Sequence, residues 1–572
     1  MGFGALVCRF GTALLAVAAP VASVRGEAGL GPVDVIEAAV KAYSDEHVAR
    51  YLADVEREGV REHGFPRLTA NLGALIARGR SDRRELFVRM MDAACAGAAK
   101  GKMKLGSSGN EFSVKELVIV LQLLERSAAF PPDVLARWRA TLASVRAEKS
   151  YSRIPTPGAN RANNWVVFGC ASEQARIAAG CGGDAAFVEK YVADQLRWFD
   201  ANGMYRDPNQ PAVYDLVTRL QFAMILTKGY DGPSRAKLEE LMDRAALPTL
   251  AMISACGEIP YGGRSNQFLH NNTFASALCR WYADRAFRKG DRPLAFRFLA
   301  AAEASTAALE GWLAAEPVRH VKNRYPRETG FGCETYAYFD KYMVTMGSWA
   351  LMDLAFGFDF PSAPQTRERR PEPPSVFATT PDFHLVFARA GDYSAQWDYN
   401  ADPHYDCDGL GRLHRAGAPV ALCLSTPCAR HPSYRTEGTN VCDLAISPCG
   451  TNRLAFVAAR TDGAAAVTEW TSGPDAWRCG LGADGLKMTL TGPGRLALAL
   501  PAFMFDGERR TDVVCDGATL TVRYGGWRCS YRTDGRIVDT GVDCWNRNGR
   551  YRRYEAVGDR ALKVDVILAA DP

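Results

Sequence analysis

The densest run of polar side chains in the sequence is 258–273. It carries Glu258, Tyr261, Arg264, Ser265, Asn266, His270, Asn271 and Asn272 around a glycine turn at Gly262 and Gly263. Guanidinium, amide and imidazole groups donate hydrogen bonds to an anionic ligand, and imidazole also exchanges protons. His270, Asn271 and Asn272 are poor helix formers at the start of an apolar helix. Capping by Asn272 accounts for one of them and leaves the others to a ligand. A second cluster holds Glu334, Thr335, Tyr336, Tyr338 and Tyr342, with Tyr338 and Tyr342 one helical turn apart. That pair reads either as a packed aromatic stripe or as phenols that move a proton. A third cluster runs through His404, Asp406, Asp408, Arg412 and His414, placing two of the eight histidines within eleven residues. The spacing of His404, Asp406 and Asp408 is too short to define a metal site, and no metal or cofactor is assigned.

These clusters need elements that bring them together. Residues 29–360 repeat apolar side chains at helical spacing, as in Phe187, Val188, Tyr191, Val192 and Leu196. Helix starts are expected near Val114, Asn163, Tyr214, His270 and Tyr336, at intervals of roughly 50 to 65 residues. Repetition on that scale predicts stacked helical hairpins. If they close into a ring, every second helix is inner, and the loops entering the inner helices surround one cleft. Asn164, Trp165, Tyr214, Tyr261 and Arg264 then join His270, Asn271 and Tyr338 at one end. Residues 361–375 contain five prolines and a charge run and read as a linker. Beyond them, in 376–572, the period falls to two, with Leu520, Val522 and Tyr524 alternating with Thr521 and Arg523. Antiparallel strands in a β-sandwich are expected.

An Asn-bearing inner helix, a Glu-Thr-x-x-Tyr segment (Glu334, Thr335, Tyr338) and a histidine opening a β domain resemble the heparinase II/III and alginate-lyase type of polysaccharide lyase. The resemblance implies an incomplete (α/α) toroid of five to six hairpins followed by an antiparallel β-sandwich. It also implies β-elimination on a uronate-containing acidic polysaccharide. Asn271 then stands where the family binds the uronate carboxylate, and Tyr338 stands at the family's catalytic tyrosine. His404 opens a segment in which Asp406 replaces the family's second histidine, so His414 is a further candidate. His270 is grouped with the catalytic residues. Arg264, Asn164, Tyr214, Tyr261, His414 and Arg412 are grouped with the substrate-binding ones. In such a reaction, hydrogen bonds neutralise the carboxylate, Tyr338 as phenolate or a neutral histidine takes the C5 proton, and either Tyr338 again protonates the leaving oxygen or tyrosine and His404 split the two roles. Two other readings stay open. A hydrolase on the same toroid would use Asp207, Asp215 or Glu258, and a non-catalytic glycan binder would stack sugars on Trp165, Tyr214 and Tyr261.

Composition bounds these readings. A chain of 572 residues with 47% hydrophobic and 23% charged residues predicts two globular domains. A net charge of +5 argues against a nucleic-acid partner and allows a local basic cleft. Residues 1–28 have the charge and apolar run of a secretory leader, so export to the periplasm or medium is expected without stable membrane insertion. Nine of the 16 cysteines lie between Cys407 and Cys544. Cys423 and Cys428 are close enough in sequence to pair across a turn.

Overall fold

A helix that is apolar on every side needs neighbours on every side. The computed structural model of the protein describes residues 29–571 apart from 104–108, 155–163, 209–210, 361–371, 433, 435–439 and 451–452. Among the described residues, six helices are buried round much of their cylinder: Gly64–Ala77, Val114–Ser127, Asn164–Ala178, Ala212–Thr227, Leu269–Arg288 and Phe339–Phe356. Each packs on the next, and Phe339–Phe356 returns to pack on Gly64–Ala77. Outer helices cover them. Arg84–Lys100, Pro132–Ala143, Ala185–Gln195, Arg235–Arg244 and Arg292–Leu313 each pack on the inner helix that precedes them. The sixth outer position is taken by Pro32–Lys41, which packs on both Phe339–Phe356 and Gly64–Ala77. An outer helix buries one stripe only. Arg235–Arg244, for example, buries Leu238, Leu241 and Met242 among charged residues. The result is an (α/α) toroid. No helix among the described residues is long and apolar enough to cross a membrane.

Four expected helix starts fall within two residues of an observed inner helix. The fifth, near Tyr336, shifts to Phe339, and Tyr338 becomes its N-cap residue with extended backbone. Tyr338 and Tyr342 therefore do not share a helical face. Gly64–Ala77 was not among the expected starts. Residues 1–28 and most of the proline-rich segment lie outside the described residues.

The first strand begins at Glu372. Strands Glu372–Ala378, Leu385–Gly391, Tyr393–Asp398 and Gly409–Arg415 form a four-stranded antiparallel sheet in chain order. A second antiparallel sheet is built around the long pair Gly485–Phe505 and Gly549–Ala570. Trp397, Leu410 and Leu413 of the first sheet share one core with Leu486, Leu500 and Val566 of the second. Ser394 and Gln396 alternate with the core residues of their strand, and a register shift at Gly411 carries Arg412 and His414 onto the same outer face. They are nonetheless buried, because that face docks on the toroid. Ser394 accepts the Ala255 N–H, and Gln396 exchanges hydrogen bonds with the Tyr261 backbone.

Among the described residues no disulfide is formed. Cys423 and Cys428 do not pair with each other. Cys423 sits against Cys529 and Tyr531, while Cys428 sits against Cys544 of the neighbouring strand.

Candidate active site

The loops that enter the inner helices surround a cavity of about 260 Å³ at one end of the toroid. Asn164, Trp165, Tyr214, Arg264 and His270 line it, each from an expected helix start. The structure adds Arg67, Arg153, Ser265, Tyr336, Lys341 and Tyr342. Four cationic side chains thus face the space, and no carboxylate does so among the described lining residues.

The segment before Leu269–Arg288 is irregular because its backbone is tied by side chains rather than by a ladder. Ser265 adopts the left-handed region at φ 61°. Its N–H donates to Glu334 Oε1 at 2.7 Å, and its carbonyl accepts from Asn271 Nδ2 at 3.2 Å. Its hydroxyl oxygen lies 3.1 Å from each of the phenol oxygens of Tyr214, Tyr336 and Tyr342. Arg264 lies over the Tyr214 ring, 4.0 Å from its centroid, and donates to Asp207 Oδ2 at 2.8 Å. Asp207 also accepts the backbone N–H of Asn164, so one carboxylate fixes two lining residues.

Burial sets the protonation of the lining groups. His270 is pushed down to about 3, first by burial and then by Arg67, His320 and Lys322. Neither of its ring nitrogens has a hydrogen-bond partner among the described residues. Lys341 is lowered to about 8 by burial, with Glu62 opposing and Arg67 adding. Tyr336 and Tyr342 are held well above the usual phenol range, chiefly by burial. Burial works against the charge on Arg264, but Tyr214 and Asp207 more than compensate, and its guanidinium stays charged.

Several expected site residues lie elsewhere. Asn271 is fully buried and does not line the cavity. Its Oδ1 accepts the Phe268 N–H at 2.8 Å while its Nδ2 holds the Ser265 carbonyl, so the amide ties the turn. That corrects its assignment to a substrate carboxylate. Tyr338 is 40% exposed and outside the cavity lining, and the phenols in that segment that do line it are Tyr336 and Tyr342. His404 also lies outside the lining and packs edge-on against Tyr405, 4.3 Å between centroids. The Tyr405 phenol is pushed up to about 12, first by burial and then by Glu334.

Tyr261, Arg412 and His414 are interdomain contacts rather than sugar contacts. Arg412 donates to the carbonyls of Ile259 and Met252 at 2.7 and 2.9 Å. His414 Nδ1 meets Ser254 Oγ at 3.0 Å, and the Tyr261 hydroxyl accepts the Gly411 N–H at 3.2 Å. All three are buried where the first sheet meets the toroid, which leaves no face for a ligand.

One contribution of the β domain went unseen in the sequence. Arg547, in the turn between strands Arg536–Asn546 and Gly549–Ala570, grips Glu334 with both terminal nitrogens, at 2.6 and 3.0 Å. Its Cζ lies 4.0 Å from the Tyr434 ring centroid. Glu334 in turn holds the Ser265 N–H, so the β domain fixes the cavity's turn from behind.

Solved structures of similar architecture include a heparinase III, at 9% identity and a TM-score of 0.48 over 97% of this chain and 87% of that chain. A second heparinase III is 10% identical, with a TM-score of 0.45 over 94% and 84% of the two chains. A mutant of the Pedobacter heparinus heparan sulfate lyase HepC is 10% identical, with a TM-score of 0.41 over 87% and 75%. No family model matches the chain, and no curated protein matches it in sequence.

Proposed function

We propose that the protein is an exported polysaccharide lyase that cleaves a uronate-containing acidic polysaccharide by β-elimination. The carrying observation is the cavity's chemistry: cations, phenols and neutral imidazoles face it, and no carboxylate does among the described lining residues. A hydrolase needs two carboxyl groups astride the bond it cuts. The three candidates are committed elsewhere. Asp207 is paired with Arg264, Asp215 with Arg219 at 2.6 Å, and Glu258 with Lys322. Neither Asp215 nor Glu258 lines the cavity.

The groups that do line it suit elimination. Arg264, with the other cations, neutralises the uronate carboxylate, so negative charge spreads from C5 into the acid as the proton leaves. A phenolate accepts that proton, the C5–H electron pair becomes the C4=C5 double bond as the C4–O bond breaks, and the phenol so formed gives its proton to the leaving oxygen. His270, neutral and buried, donates or accepts a hydrogen bond without adding charge. Incubation with alginate, polygalacturonate, hyaluronan and heparan sulfate tests the proposal. Ultraviolet absorbance of an unsaturated uronate is expected from at least one. Reducing ends without that absorbance would show hydrolysis, and binding without either product would show a glycan-binding protein.

A further inference from the structure

Two pairs of cysteines meet in the core of the β domain. Cys428 opens the short strand Cys428–Ala429, and Cys544 lies beside it in strand Arg536–Asn546. The register sets Ala429 opposite Trp545. Side chains alternate along both strands, so Cys428 and Cys544, each one residue earlier, share the other face. Their thiols touch there, and both residues are buried. The second pair is built in the same way. Cys529 and Tyr531 are two residues apart in strand Trp527–Thr533 and face one way. Cys423 Sγ lies 3.4 Å from the Tyr531 phenol oxygen and also meets the Cys529 thiol. A disulfide needs two sulfurs presented to each other from backbones already close, and strand packing supplies that at both places.

The two pairs bracket one segment. Cys423 and Cys428 stand at either end of residues 424–427. Within it, the Thr426 carbonyl accepts the Asn546 side-chain amide at 3.0 Å, and the Ser425 hydroxyl donates to Asn548 Oδ1. Asn546 and Asn548 flank Arg547, whose grip on Glu334 holds the Ser265 turn. Residues 424–427 are therefore the support on which the Arg547 turn rests.

We infer that Cys423 with Cys529, and Cys428 with Cys544, are disulfide sites that close as the chain folds in an oxidising compartment, and that the two bonds clamp residues 424–427 under the Arg547 turn. The inference rests on the export proposed above. The electron acceptor is the disulfide of a thiol–disulfide oxidoreductase. One thiolate of a pair attacks it, forms a mixed disulfide and releases one thiolate of the carrier. The second thiolate of the pair attacks the chain's own sulfur in that mixed disulfide, closes the bond and expels the carrier's other thiolate. Each closure takes two electrons and two protons from the pair and leaves the carrier as a dithiol. Burial places the exchange before the core closes, because a protein-sized carrier has no path to sulfurs this deep.

The whole protein, sent into a bacterial periplasm behind a foreign leader, tests the pairing. Thiol titration in denaturant is expected to find four fewer thiols than in the same chain made in a reducing cytosol. Digestion without reduction, followed by mass spectrometry, is expected to recover Cys423 joined to Cys529 and Cys428 joined to Cys544. Equal thiol counts in the two preparations, or bonds from these cysteines to other ones, overturn the inference. Hydrogen–deuterium exchange tests the clamp and needs no substrate. Reductant should speed exchange around Thr426 and Asn548 in the periplasmic protein and leave the cytosolic one, whose thiols are already reduced, unchanged. Equal exchange before and after reduction of the periplasmic protein removes the clamp. The chain's own leader forms a separate arm: if it fails to export the protein, the export reading falls alone, and the foreign leader still decides the pairing.

Discussion

His270 and Asn271 are adjacent, and their environments divide the work between them. His270 faces the cavity, while Asn271 ties the turn that places Ser265. Asn271→Ala should therefore cost stability, about 1–3 kcal/mol for the orphaned Phe268 N–H and Ser265 carbonyl. Thermal melting checks this, and a parent-like melt with lost turnover would return Asn271 to the substrate. For His270 the sign follows from linkage. The unfolded chain takes up its proton below about 6.5, whereas the folded imidazole resists until about 3. Its contribution is present above pH 6.5 and lost as pH falls through that window. The melting-temperature gap between the parent and His270→Gln should narrow steadily from pH 7 toward pH 4. The sequence showed that this run was chemical, but it could not show which side chain faced inward. Successive helical residues turn by about 100°, so a small error in helix phase exchanges neighbours. Tyr338 failed for the same reason: the helix begins one residue beyond it, and Tyr336 and Tyr342 take the cavity.

At the scale of elements, the ion pair of Glu334 and Arg547 carries the turn. Both side chains are almost fully buried. Removing one partner leaves an unpaired buried charge, so Arg547→Ala should cost about 3–5 kcal/mol. Adding Glu334→Gln to that variant should recover part of the loss. A double-mutant cycle by denaturant titration measures the coupling, and strictly additive losses would show that the pair does not act as one unit. This link was invisible in the sequence because its partners lie on opposite sides of the proline-rich segment. The hairpin repeat was visible because polar loops precede five of the inner helices. The sixth, Gly64–Ala77, also follows polar residues, Arg61, Glu62 and His63, and was not among the expected starts. Strands with one wet face, such as Thr519–Tyr524, announced themselves by alternation. Tyr393–Asp398 did not, since its polar side chains are buried against the toroid along with its apolar ones.

The molecule as a whole gathers four cationic side chains around one cavity, which under the proposed function meets a polyanion. Raising salt from about 0.05 to about 0.5 M should raise KM for an acidic polysaccharide and leave kcat nearly unchanged, because screening weakens encounter more than the buried contacts. Steady-state kinetics across that range decides it, and a salt-independent KM would remove the cations from substrate capture. The route by which the cavity is finished has a consequence for when the protein can act. Every toroid helix leaves the ribosome before Arg547, which follows the last of them across nearly the whole β domain. Until that arginine arrives, Glu334 has no cation, and the Ser265 turn lacks its anchor. The turn that faces the cavity therefore gains its last buried partner only after nearly the whole β domain has been made.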